Sequence, residues 1–492
     1  MSTQSLYWYD YETFGIDPRT ERIAQFAGIR TDMDFNIIDT PIDILCKATD
    51  DILPNPEACL ITGITPQSTL QKGLIEAEFI SRVEQQFSRP NTCVVGYNNI
   101  RFDDEFTRYS LYRNFFDPYA REWQNGCSRW DIIDLVRVTR ALRPEGIKWP
   151  VDENGVASNR LELITRANGI SHEAAHDALS DVYATIAVAK LIKQQQPRLF
   201  NFVFEHKSKQ KISQLLNLYQ PQAVLHTSGM YSSEICNTAM IYPLTEHPTN
   251  KNGIIVYDLR HSPEDLLNCS ADEIIERLYT PADQLQEGVK RIPLKTVHIN
   301  KCPVITPVNT LDEGAAKRTG IDREQHLKHL EMLKQAPALQ KKLNAVFSHN
   351  PFPEEDDPDK SLYSGGFFSP DDRARMNDLR QLNKKELATV NFNFKDERIP
   401  EMLFRYRARN YPESLNEDER QRWNEYRQEK FTRTSDSKAL TIEKFNKILN
   451  EHLNNAESDK NKIKILNELQ QWRDRITRGL TTPVYEEKEP VQ

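Results

Sequence analysis

The sequence predicts an α/β protein in three parts: a mixed-sheet domain over 1–197, a β-rich domain over 198–348 and an all-helical domain over 349–480, with a disordered tail over 481–492. Three observations carry this reading. The first part alternates strand-like and helix-like stretches, beginning with the apolar run from Leu6 to Tyr9. From Phe200 to Phe347 the texture changes to short β-prone segments, among them Ala223 to His226, Gly253 to Tyr257 and Thr296 to Ile299. Past the Pro- and acid-rich N-P-F-P-E-E-D-D-P-D-K, which resists packing, the chain becomes charge-rich and helical.

At 492 residues the chain exceeds one core, and roughly 100–200 residues per domain implies two to four. With 38% hydrophobic and 28% charged residues it reads as soluble and globular. No stretch approaches the roughly 18 apolar residues of a membrane helix, and M-S-T-Q lacks the basic-then-apolar plan of a signal peptide, so a cytoplasmic location is expected. The 7 cysteines, without a C-x-x-C pair, fit buried core positions and neither a disulfide framework nor a zinc site. A net charge of −8 argues against binding nucleic acid through overall charge. It leaves room for a local basic groove, since a cluster of acids holding metal would itself add negative charge.

In chain order, L-Y-W-Y-D-Y-E-T-F-G opens as a buried strand that carries Asp10 and Glu12 at positions i and i+2. Such residues project to one side, so the two carboxylates converge, and a divalent cation coordinated by oxygen relieves their repulsion. On its own the pair also fits a strand ending in a solvated acidic turn. E-R-I-A-Q-F-A-G-I-R and F-N-I-I-D-T-P-I-D-I-L-C read as two further strands of an antiparallel meander. Pro54 to Pro66 holds at most one short helical turn, a helix follows from about Ile75 to Phe87, and Cys93 to Gly96 is a buried strand.

G-Y-N-N-I-R-F-D-D-E-F-T-R-Y places Asp103 in the first turn of a helix, where an acid also serves as an ordinary cap. H-E-A-A-H-D-A-L-S-D-V-Y puts His176 just before a helix and Asp181 on its apolar side. A lone histidine is commonly a satisfied core or surface group. A buried, unpaired Asp181 needs a partner such as a metal, and Asp177 reads as a helix-start acid. No G-x-x-x-x-G-K-S/T loop suggests an ATP-driven step.

Taken together, D-x-E, F-D and H-x-x-x-x-D resemble the three signatures of the DEDD exonucleases, in the subclass with histidine. N-N-I-R-F-D-D-E-F-T-R-Y, V-H-I-N-K-C-P-V and F-R-Y-R-A-R-N-Y-P extend the resemblance over nearly the whole chain, to a bacterial branch acting on single-stranded DNA. The resemblance implies a ribonuclease H-like exonuclease domain followed by an SH3-like domain and a helical C-terminal domain. It also implies processive 3′→5′ hydrolysis of single-stranded DNA to 5′-mononucleotides, in repair and recombination. Asp10, Glu12, Asp103 and Asp181 match the family's metal-binding acids, which hold two Mg²⁺ about 3.5–4 Å apart, with Mn²⁺ as a substitute. His176 matches the general base, whose ordinary pKa near 6.5 leaves it neutral at mildly alkaline pH.

Substrate contacts follow from the same resemblance. Arg160 corresponds to a phosphate-binding arginine, and Leu60, Thr62 and Gly63 to the element packed on the terminal nucleotide. Glu12 serves substrate as well as metal. His226 and Lys301 lie in segments that fit a DNA groove or a solvated surface. In the third domain, Arg405, Arg407 and Arg409 interleave with Phe404 and Tyr406, a pattern that suits single-stranded nucleic acid and equally a helical bundle with solvated charges. The implied partners are single-stranded DNA 3′ ends and the acidic, aromatic tail of a single-stranded-DNA-binding protein. Arg143 matches one basic residue of that tail's pocket, whereas Asp312 and Gln340 stand where positive charge would help. A monomer without membrane association is expected. A non-catalytic binding scaffold and an RNA-directed exonuclease are the competing readings; the intact acid set weighs against the first.

Overall fold

The computed structural model describes residues 4–172, 177–348, 355–433, 439–455, 459–478 and 480. His176 and the expected tail over 481–492 lie outside them. Strand β1, Ser5–Thr13, is the axis of the first sheet. It pairs antiparallel with β2, Ile23–Thr31, and parallel with β4, Thr92–Gly96. With β3, Ile42–Leu45, beyond β2 and β5, Ser128–Asp131, beyond β4, the order is β3-β2-β1-β4-β5. The expected meander and mixed sheet are both present. Because the sheet is covered on both faces, β1 is apolar on both. Trp8 packs with Ala27 and Val95 on one side, and Tyr7, Tyr9 and Tyr11 pack with Phe26 and Phe87 on the other.

The stretch from Pro54 to Pro66, expected to hold one short turn, begins two helices, α1 (Pro56–Thr62) and α2 (Pro66–Lys72). Each proline opens its helix directly after a capping residue, Asn55 or Thr65, where no backbone N–H is needed. Gly63, at φ 72°, ends α1 in the left-handed region that glycine tolerates. The remaining helices of the first domain are α3 (Glu76–Phe87), α4 (Asp103–Arg113), α5 (Ile132–Leu142), α6 (Leu161–Ala167) and α7 (Ala178–Gln195). Helix α7 lies on β1 and β2, and the Asp177 carboxylate caps it by accepting from the Ser180 N–H.

After α8 (Pro197–Glu205) and α9 (Lys209–Leu215), the second domain builds an antiparallel sheet. Its strands are β6 (Val224–Thr227), β7 (Thr238–Glu246), β8 (Gly253–Asp258), β9 (Leu294–His298) and β10 (Val304–Pro307), in the order β10-β6-β7-β8-β9. Around it stand α10 (Glu264–Asn268), α11 (Ala271–Tyr279), α12 (Glu313–Thr319), α13 (Arg323–Lys334) and α14 (Leu339–Ser348).

The third domain comprises α15 (Pro370–Leu379), α16 (Lys384–Thr389), α17 (Arg398–Asn410), α18 (Glu417–Thr432), α19 (Ile442–Asn455) and α20 (Lys460–Thr477). It shares a core with the first domain. Phe445, Leu449, Leu469 and Trp472 pack with Phe14, Ile52, Leu53 and Cys59, and the Trp472 indole donates to the Ile52 carbonyl at 3.1 Å. A buried ion network crosses the same boundary. Asp51, with its side chain 0% exposed, meets Arg409 at 3.0 Å, Lys430 at 3.1 Å and Arg22 at 3.3 Å. Arg409 also pairs with Asp359 at 2.5 Å, Arg405 with Asp357 at 2.7 Å, and Arg407 with Glu419 at 2.6 Å.

These pairs correct the expectation that the arginines between Phe404 and Asn410 suit nucleic acid: all three are buried and held by carboxylates. All seven cysteines are free thiols, four of them buried. No helix among the described residues is long and apolar enough to cross a membrane.

Candidate active site

The C-terminal half of β1 presents its acids on one face. Tyr9 and Tyr11 alternate to the opposite side, where the Tyr9 hydroxyl donates to Asp104 at 2.9 Å and the Tyr11 hydroxyl accepts from Thr107 at 3.0 Å. Asp10 is partly exposed, and Glu12 is buried at 8% exposure. The first turn of α7 brings Asp181 to the same point, so that one carboxylate oxygen from each of Asp10, Glu12 and Asp181 lies within 4.8 Å of the others. Asp103, at the start of α4, is 4% exposed. Its carboxylate accepts from the Tyr11 backbone N–H and stands close enough to raise the pKa of both Asp10 and Glu12. It falls outside the 4.8 Å trio.

The electrostatics separate these acids from their neighbour Asp104. Burial, followed by the surrounding carboxylates, pushes Asp10 well above the usual carboxylate range and Glu12 up to about 8. Burial dominates the rise at Asp103 as well. For Asp104 the penalty of burial is outweighed by Arg121 at 2.8 Å and Arg129 at 2.6 Å, which hold it below the usual range. One buried acid is thus compensated by protein cations, while Asp10 and Glu12 face further carboxylates. An all-oxygen donor set with this uncompensated charge fits a hard divalent cation.

Two supporting residues were not read from the sequence. Asp131 at the end of β5 is buried and pushed up to about 7 by that burial, then by Asp134. It accepts from the N–H groups of Asn98 at 2.8 Å, Ile133 at 3.0 Å and Ile100 at 3.2 Å, holding the turn that leads into Asp103. His172 contacts Asp181, with Nε2 2.5 Å from Oδ1. A second histidine four residues before His176 was the available signal, but sequence spacing alone does not say that its ring reaches Asp181.

The other expected residues are dispersed. Arg160 precedes α6, is 68% exposed and pairs with Glu162 at 2.5 Å. Leu60 and Thr62 lie on α1, Leu60 packing against the core shared with α19 and α20, and Thr62 accepting from the Ile64 N–H at 3.1 Å. Arg143 caps α5 and pairs with Asp312 at 3.2 Å, and Gln340 is exposed on α14. Lys301, after β9, reaches back across the domain boundary to 3.8 Å from Glu105. His226 does not line a groove: it is buried on β6, its Nδ1 3.0 Å from the Tyr231 hydroxyl, and burial and then Lys295 push its pKa down to about 3.

The comparisons with known proteins agree along the chain. Residues 7–189 match the family model described as Exonuclease, 207–349 the Exonuclease I SH3-like domain and 356–476 the Exonuclease I C-terminal domain. The exodeoxyribonuclease I of Haemophilus influenzae is 49% identical over 433 residues, 88% of this chain and 91% of that protein. That of Escherichia coli is 48% identical over 426 residues, 86% and 89% of the two chains. The structure of Escherichia coli exonuclease I in complex with a dA16 oligonucleotide superimposes with a TM-score of 0.92 at 45% identity, covering 96% of this chain and 100% of that one. Exonuclease I from Methylocaldum szegediense gives 0.92 at 50% identity, covering 96% and 99%. With an acid-lined exonuclease domain, an SH3-like domain and a helical C-terminal domain in this order, the chain belongs to the exodeoxyribonuclease I family and is an exonuclease.

Proposed function

We propose that the protein removes nucleotides one at a time from the 3′ end of single-stranded DNA, releasing 5′-mononucleotides, with Mg²⁺ held by Asp10, Glu12, Asp103 and Asp181. The observation that carries this reading is the convergence of Asp10, Glu12 and Asp181 within 4.8 Å, where, after burial itself, the groups that raise Asp10 and Glu12 among the described residues are further carboxylates. When bound, a pair of divalent ions supplies Lewis-acid stabilisation to the attacking and leaving oxygens of a phosphodiester. The chain supplies the remainder. β1 and α7 fix the carboxylates, and the compensated Asp104 beneath them keeps the Asp103 helix in place without competing for the cation. His176, by its match to the family signature, accepts the proton of the attacking water. Arg160, exposed at the start of α6, is available to pair with a substrate phosphate. Leu60 and Thr62 on α1 pack against the terminal nucleotide.

The same reading makes the protein a cytoplasmic monomer acting in repair and recombination, and processive because single-stranded DNA is enclosed between domains. Arg143 contributes to a surface for the acidic tail of a single-stranded-DNA-binding protein, with Asp312 competing for its guanidinium. Mn²⁺ substitutes for Mg²⁺. End-labelled single-stranded DNA, duplex DNA and RNA, each incubated with Mg²⁺ or with EDTA, test the function. Release of mononucleotides from the 3′ end of single-stranded DNA alone, and only with metal, is expected. Equal activity on RNA, or activity in EDTA, refutes it.

A further inference from the structure

We propose that His172 is a positioning residue that orients the carboxylate of Asp181 for cation binding, an inference that rests on the reading of Asp10, Glu12 and Asp181 as a metal site. His172 follows α6, and its side chain is only 5% exposed. Its Nε2 stands 2.5 Å from Asp181 Oδ1, and its Nδ1 stands 3.2 Å from the hydroxyl of Thr165. Thr165 is fully buried on α6, and its hydroxyl also lies 3.0 Å from the Leu161 carbonyl.

An ionised carboxylate only accepts, so Nε2 carries the hydrogen and donates to Asp181. The hydroxyl of Thr165 carries one hydrogen, for which the carbonyls of Leu161 at 3.0 Å and Glu162 at 3.1 Å are the nearer acceptors, so Thr165 anchors the position of the ring at Nδ1 and the Asp181 carboxylate sets the donor at Nε2. The backbone of Asp181 is already fixed, its N–H donating to the Asp177 carbonyl at 3.0 Å in the first turn of α7. What the helix does not fix is the rotation of the carboxylate plane. Tethering Oδ1 to a buried ring restricts that rotation, with a carboxylate oxygen of Asp181 kept within 4.8 Å of those of Asp10 and Glu12. Partners that orient metal ligands in this way change metal affinity by roughly 10–100-fold when removed.

A purely structural staple between α6 and α7 would instead affect stability and leave metal affinity alone. Mn²⁺ binding to the full-length protein, followed through the electron paramagnetic resonance signal of free Mn²⁺, separates the two. His172→Phe keeps the ring volume and removes the donor, and is expected to raise the Kd for Mn²⁺ by roughly 10–100-fold. His172→Gln restores an N–H without the ring and should recover most of that loss. Thr165→Val, which removes only the outer anchor, should shift the constant in the same direction by less.

A folded His172→Phe that binds Mn²⁺ as the wild type does overturns the proposal, and so does a folded His172→Gln no better than His172→Phe. Should His172→Phe fail to fold, an unchanged constant in Thr165→Val overturns it. Asp181→Asn is the control for the underlying reading: wild-type Mn²⁺ affinity in that variant removes the metal site itself, whatever His172 does.

Discussion

Asp104 and Glu12 are both buried carboxylates, and their partners set them opposite tasks. Asp104 meets two guanidinium groups, whereas Glu12 meets Asp181 and Asp103. Replacing Asp10 or Asp181 with alanine removes one of the acids proposed to hold the cation while leaving Arg160 and α1 untouched. Cleavage should fall below a few per cent of wild type with single-strand binding largely retained, as read by nucleotide release and fluorescence anisotropy; higher residual turnover contradicts the assignment. Glu12 also makes a pH prediction. Its carboxyl, raised from 4.5 to about 8, binds its proton more tightly in the folded state. Without metal, its contribution to stability is therefore complete below about pH 4.5 and is lost as the pH rises toward 8. In EDTA, wild-type Tm should fall relative to Glu12→Gln between those limits, and Mg²⁺ should reverse the fall. Parallel Tm curves for the two proteins would show that Glu12 is not under this strain.

At the level of elements, α17 shows how the same residues answer to different surroundings. Arg405, Arg407 and Arg409 alternate with aromatic residues as a nucleic-acid-binding stretch would, yet each is buried against carboxylates. Glu401, one turn before Arg405 and 2.8 Å from it, is within reach of a local reading, but Asp51, Asp357, Asp359 and Glu419 lie outside α17 and are not. Asp51 is the most exacting of these acids: three cations outweigh the cost of its burial and hold its pKa well below the usual range. Removing one member of such a network strands the others without a counter-charge. Asp51→Ala should cost about 3–5 kcal/mol in denaturant unfolding. A loss well under 1 kcal/mol would place the network among solvent-screened pairs, where about 0–1 kcal/mol is usual.

For the whole molecule, the helical domain is part of the catalytic domain's core. Trp472, Phe445 and Leu449 bury Phe14, which directly follows β1, and Cys59 on α1. The two domains are therefore expected to unfold together, and a chain cut after residue 348 should melt well below the full-length protein. Two well-separated calorimetric transitions for these domains would contradict that coupling. The same attachment bears on processivity: an enclosed strand must thread out to dissociate, whereas an open groove releases it at the salt-dependent rate of its phosphate contacts. Products per binding event, counted in the presence of a trap strand, should stay high as salt rises. A yield that falls steeply with salt argues for an open groove.

The sequence by itself determined the elements and the acids. The period of β1 put Asp10 and Glu12 on one face, and the range of α3 and the helical character of the third domain were legible from apolar spacing and composition. These features depend on residues a few positions apart, where periodicity and backbone hydrogen bonding act. Pro56 and Pro66, the first residues of α1 and α2, misled because a residue that interrupts a helix also opens one. The tertiary structure decided what lies across the chain. It decided that Asp104 is neutralised by Arg121 and Arg129, that His226 turns inward to Tyr231, that Arg409 belongs to Asp51 and Asp359, and that the ring of His172 contacts Asp181. A charged group's role is set by the sign and distance of whatever is packed against it, and only the folded chain supplies those neighbours.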